Sequence, residues 1–121
     1  LNVYMADFIQ DDTFIFGIHY KFMQELASLD LAAAWSKVKA PVLAVWGEAD
    51  FQASKADSEL IASIINKGAA GKGKFLALPK TDHGFSLAED QEESFLAGRG
   101  GGTFNPAIVD ALTKWFKENA G

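Results

Sequence analysis

The chain has 121 residues, the size of one domain or part of one. Apolar residues make up 49% and aromatic residues 12%, which excludes general disorder. A formal net charge of −5 argues against nucleic acid and anionic membrane surfaces as partners, and zero cysteines exclude disulfides, thiolate nucleophiles and thiolate metal sites.

Leu1 to Gln10 shows no clear hydrophobic period. Asp11-Asp12-Thr13 offers N-cap side chains for a helix running to about Ser28. Phe14, Ile18, Phe22, Glu25 and Leu29 fall on one row of that helix, with Ile15, Met23 and Leu26 beside it, so the spacing predicts an amphipathic face. Gly17 inside the span costs about 1 kcal/mol relative to Ala. Asp30 reads as the N-cap of a short alanine-rich helix, Leu31 to Lys37, whose Trp35 is expected beneath the first sheet strand.

Ala40-Pro41-Val42-Leu43-Ala44-Val45-Trp46-Gly47-Glu48-Ala49-Asp50 organises the rest. Pro41 cannot donate to a ladder and suits a strand's first residue. Val42 to Trp46 is continuously apolar, the pattern of a parallel strand covered on both faces. Gly47 is read as freeing the turn that follows, and Asp50 arrives just past the strand's C-terminal end. Ser54-Lys55-Ala56-Asp57 has capping-box spacing for a helix to about Asn66. Leu60, Ile61, Ile64 and Ile65 form the stripe expected to cover the sheet, and Lys67-Gly68 closes the helix.

Lys74 to Leu78 is a second apolar run, ended by Pro79. The fold class is therefore α/β, with two parallel strands at about 41–46 and 74–78 joined by a crossover helix. The segment Ser86 to Leu96, with Glu89, Asp90, Glu92 and Glu93, reads as a solvated acidic surface. Gly98-Arg99-Gly100-Gly101-Gly102 is a flexible connector without the Lys-Ser/Thr of a phosphate loop. Asn105-Pro106 starts a last helix with Ile108, Leu112, Trp115 and Phe116 expected on its buried face.

Parallel strands joined by one crossover put their C-terminal ends on one rim, which brings Asp50 and His83 together. An imidazole is a general base near neutral pH, and a carboxylate on its far nitrogen fixes its tautomer. The same two residues also fit a capping Asp and a loop His bonded to backbone. Glu48 is close enough to serve as the acid instead, and Asp82 is expected to turn the loop. Asp50, Asp82 and His83 are too few in histidine for a metal site, so no cofactor is implied. His19 and Tyr20 on the first helix are candidate pocket residues, as is Phe85.

The motifs Ala40-Pro-Val-Leu-Ala-Val-Trp-Gly-Glu-Ala-Asp50, Asp82-His-Gly-Phe85 and Lys114-Trp-Phe-Lys117 resemble the C-terminal part of an α/β-hydrolase of the serine esterase and peptidase superfamily. The resemblance covers about Leu29 to Lys117. It implies a partial α/β-hydrolase fold, Asp50 as triad acid and His83 as triad base. Residues 1–30 would be the end of a helical cap or lid and 31–121 the C-terminal part of the core. It also implies an ester or peptide substrate in a parent protein. No Gly-x-Ser-x-Gly occurs in the chain: Ser28, Ser36, Ser54, Ser58, Ser63, Ser86 and Ser94 all lack that context. The expectation is thus a piece of a longer chain, beginning at Leu1 with no signal-like segment, that supplies acid and base without nucleophile or oxyanion hole. Alone it would be inactive. The alternative is a non-catalytic hydrolase-like module for binding or assembly. Loss of a neighbouring strand would leave the edge of 42–46 open, which predicts a homo-oligomer through that edge. No apolar run approaches the roughly 20 residues that span a bilayer.

Overall fold

The computed structural model describes residues 14–15, 18–98 and 101–119. The chain divides into two compact units, Leu1–Ala33 and Ala34–Gly121. In the first, β1 (Phe14–Ile15) and β2 (Ile18–His19) pair antiparallel and lead into α1 (Tyr20–Ser28). This corrects the helix expected from residue 14: helix begins only at Tyr20. Phe14, Ile15 and Ile18 are aromatic and β-branched, types that fit a strand as well as a helical stripe. His19, not an upstream acid, caps α1 by accepting from the Lys21 N–H at 3.2 Å. Asp11-Asp12-Thr13 lies outside the described residues. Phe22, Leu26 and Leu29 are exposed, so the predicted apolar row is not a buried face.

Helix α2 (Leu31–Ser36) starts as read, with Asp30 Oδ1 accepting from the Ala33 N–H at 2.8 Å, and Trp35 in it is half-buried. The second unit is an α/β arrangement around two parallel strands, β3 (Val42–Gly47) and β4 (Gly73–Leu78), in register Val42 to Gly73 through Gly47 to Leu78. Helix α3 (Lys55–Gly68) is the crossover and packs on both strands. The Ser54 hydroxyl accepts from the Asp57 N–H and donates to its carboxylate, so the shorter acid completes the cap in its own way. Asn66 pairs its amide with both the N–H and the carbonyl of Gly73 at 2.9 and 2.8 Å, standing in for a strand partner where β4 begins.

Only Ala44 and Gly47 of β3 are buried, and Val42, Leu43, Val45 and Trp46 are half-buried. The two-sided cover predicted for this strand is partial: each face carries one buried residue, Ala44 on one and Gly47 on the other, and the rest are half-buried, with α3 packed on the strand and Ala111 and Trp115 lining a recess beside Leu43 and Leu76. Of the stripe predicted for α3, Ile65 is buried and Ile61 and Ile64 are half-buried, whereas Leu60 is exposed and Ala62 is buried beside them. The acidic side chains Glu89, Asp90, Glu92 and Glu93 are exposed as expected, and the segment also contains α4 (Gln91–Ala97), capped by Asp90, which accepts from the Glu93 N–H at 2.9 Å. Helix α5 (Ala107–Asn119) follows the Asn105 cap. It buries Ile108 and half-buries Trp115, whereas Leu112 and Phe116 are exposed.

Candidate active site

Both strands end at one rim, and the loops that leave them are laced together. The Glu48 N–H donates to the Leu78 carbonyl at 2.9 Å, and the Ala49 N–H to the Thr81 carbonyl at 2.9 Å. Gly47 has no left-handed φ. Its requirement is proximity instead: a Cβ there would overlap the backbone carbonyl of Thr81. The expected turn-freeing role is thus replaced by a close approach of the two loops.

Asp50 follows. Its Oδ1 accepts from the N–H groups of Gln52 and Ala53 at 2.7 and 2.9 Å, which turns the chain back toward α3. The Trp46 indole N–H closes the same turn on the Ala53 carbonyl at 3.0 Å. Oδ2 is left for His83, and His83 Nδ1 lies 2.9 Å from it, across a sequence separation of 33 residues. The Asp50 side chain is 5% exposed and that of His83 44% exposed. The carboxylate is thus inside and the imidazole reaches out to solvent. A carboxylate can only accept, so a bond from the ring to it requires the proton on Nδ1, and a neutral ring then has Nε2 as its acceptor. That is the tautomer a general base needs if its proton is to be taken up on the outer nitrogen.

The His83 loop is held as firmly as the Asp50 turn. Asp82, 3% exposed, turns it: its Oδ1 accepts from the Gly84 and Ser86 N–H groups at 2.8 and 2.7 Å. Lys80 and Phe85 bracket the loop in left-handed conformations, φ 49° and 58°. Phe rarely adopts that region, at a cost of order 1–3 kcal/mol, so surrounding bonds must impose it. The Phe85 carbonyl accepts from the Asn105 N–H at 2.7 Å, and bridges Thr81 to Leu87 and Ser86 to Phe104 tie down the chain beyond.

Among the carboxylates weighed for the imidazole, the structure places that of Asp50 at His83 and leaves Glu48 exposed. Phe85 is half-buried in the same loop as His83. His19 and Tyr20 belong to the first unit, where their rings stack at 4.7 Å and Tyr20 is buried. Among the described residues no group of three or more metal-ligating side chains occurs.

Two contributors were missed in the sequence. Gln91 donates from Nε2 to the Asp50 carbonyl at 2.9 Å, and Phe95 meets Phe51 edge-to-face at 5.3 Å, so α4 braces the Asp50 turn. The spacing Asp90-x-x-Glu93 is a helix-start signature that would have revealed the helix, though not its docking. Asn105 was read as a cap, and its link to the His83 loop has no sequence signal. No family model, curated protein or solved structure matches the chain.

Proposed function

We propose that this chain is the C-terminal part of a serine hydrolase acting on an ester or peptide bond, with His83 as general base and Asp50 as its orienting acid. The supporting observation is the 2.9 Å Nδ1–Oδ2 pair, carboxylate buried and imidazole half open, carried on the ends of adjacent parallel strands. In this reading a serine from outside these 121 residues gives its proton to His83 Nε2 as it attacks the substrate carbonyl, and Asp50 stabilises the imidazolium that forms. The chain alone, without an elbow serine or an oxyanion hole, turns over no ester.

A fluorophosphonate probe, which traps activated serines, tests this. The isolated chain stays unlabelled. In the parent protein the label lands on a serine outside this segment, and His83→Ala abolishes it. Labelling of a serine within the chain, or labelling indifferent to His83, would overturn the proposal.

A second reading, a non-catalytic hydrolase-like module for binding or assembly, is favoured by one observation: among the described residues β3 pairs with β4 alone, which leaves the edge of 42–46 for another copy. An open edge offers its free N–H and carbonyl groups to another strand.

A further inference from the structure

We propose that Asn105, acting through Thr81, is a positioning residue for His83, an inference that rests on the Asp50–His83 pair being the working acid and base. Asn105 bonds to the His83 loop through two donors, its side-chain amide and its backbone N–H. Its side chain donates from Nδ2 to Thr81 Oγ1 at 2.7 Å, two residues before His83. Its backbone N–H donates to the Phe85 carbonyl at 2.7 Å, two residues after. One buried residue therefore grips the segment 81–85 at both ends, with the imidazole between the grips.

Thr81 is 0% exposed and passes the restraint on. Its hydroxyl donates to the Pro79 carbonyl at 2.8 Å while accepting from Asn105. Its own carbonyl accepts from Ala49, the residue that precedes Asp50. The chain of bonds thus runs from Asn105 through Thr81 to the acid's own turn, and sets the separation of the two functional side chains from behind.

The identity of residue 105 follows from this. Asn105 Oδ1 accepts from the Ala107 N–H at 3.0 Å and caps α5, a task that Asp or Ser performs equally well. Only the amide also supplies a donor on the opposite side, for a threonine hydroxyl with no access to water. The capping requirement alone does not select Asn; the bond to the His83 loop does.

The experiment uses the 121-residue chain and long-range proton–nitrogen NMR of its histidines, which distinguishes Nδ1–H from Nε2–H. Wild type is expected in the Nδ1–H form at His83. Asn105→Asp keeps the cap and loses the donor; Thr81→Val loses the hydroxyl at nearly constant volume. In both, the Nδ1–H to Nε2–H ratio should fall about tenfold, the equilibrium worth of one hydrogen bond. Thr81→Ser retains the hydroxyl and should keep the wild-type ratio. An unchanged ratio in Asn105→Asp and Thr81→Val would overturn the positioning role while leaving the pair intact. Collapse of the dispersed β3 and β4 amide signals in those variants would overturn it as well, because the bond would then be a general stabiliser. An Nε2–H form in wild type would instead overturn the reading of the Asp50–His83 pair itself.

Discussion

Each oxygen of Asp50 has its own partners, and the two sets respond differently to substitution. Oδ1 holds the Gln52 and Ala53 amides, and Oδ2 holds His83. Asp50→Ala strands both amides and should cost about 1–3 kcal/mol, read as a lower urea midpoint with an unchanged slope. An unchanged midpoint would mean that the side chain does not hold the turn. Asp50→Asn keeps an acceptor for the turn but presents a donor to Nδ1, so it should spare stability and spoil the tautomer. Gly47→Ala drives a Cβ into the Thr81 carbonyl, a backbone group that cannot swing aside. A loss of about 1–3 kcal/mol is expected from that overpacking, measured in the same titration. Glycine at this position was legible as a turn signal; the reason for it was not, because the approaching carbonyl comes from the other strand's loop.

At the scale of elements, β3, α3 and β4 were readable from the sequence because each carries its own punctuation: Pro41 and Gly47, Ser54 and Gly68, Pro79. The hairpin of β1 and β2 was not. Phe14, Ile15 and Ile18 satisfy a helical row and a strand alternately, and pairing decides between them. Helix α4 was hidden behind its charge. Its Asp90 cap makes a clear expectation: Asp90→Ala should cost about 1 kcal/mol and lower the melting midpoint. Loosening α4 should also weaken the Gln91 brace on the Asp50 turn. Lys80 pairs with Glu89 at 2.6 Å, and the hydrogen bond to that carboxylate raises the Lys80 pKa above 10.5. A cation whose folded pKa is raised contributes stability below 10.5 and loses it as pH climbs through the higher folded value. Both side chains are exposed, so the pair is screened and its contribution is small. Wild type and Glu89→Gln should differ slightly in melting midpoint near neutral pH and converge at strongly alkaline pH.

At the scale of the molecule, apolar cover is sparse among the described residues. Their largest fully buried side chains are Ile65, Thr81 and Ser94, two of them polar, while Phe51, Leu60, Phe95, Leu96, Phe104 and Phe116 are exposed. With β3 open along one edge among the described residues, association of copies is the expected behaviour in solution. Light scattering should report a mass that rises with concentration, and a constant monomer mass up to the solubility limit would contradict it. The rim with Asp50 and His83 was legible because it follows from parallel connectivity alone. The Thr81–Asn105 lock was not, since it joins segments that no short-range pattern relates. The claim at the centre is that His83 serves as a base because Asp50 holds its inner nitrogen. Hydrolysis by the longer serine hydrolase proposed above, compared between wild type and Asp50→Asn, tests it most directly. The account predicts that kcat/KM falls about 10⁴-fold with the urea midpoint nearly unchanged; a kcat/KM equal to that of wild type would contradict it.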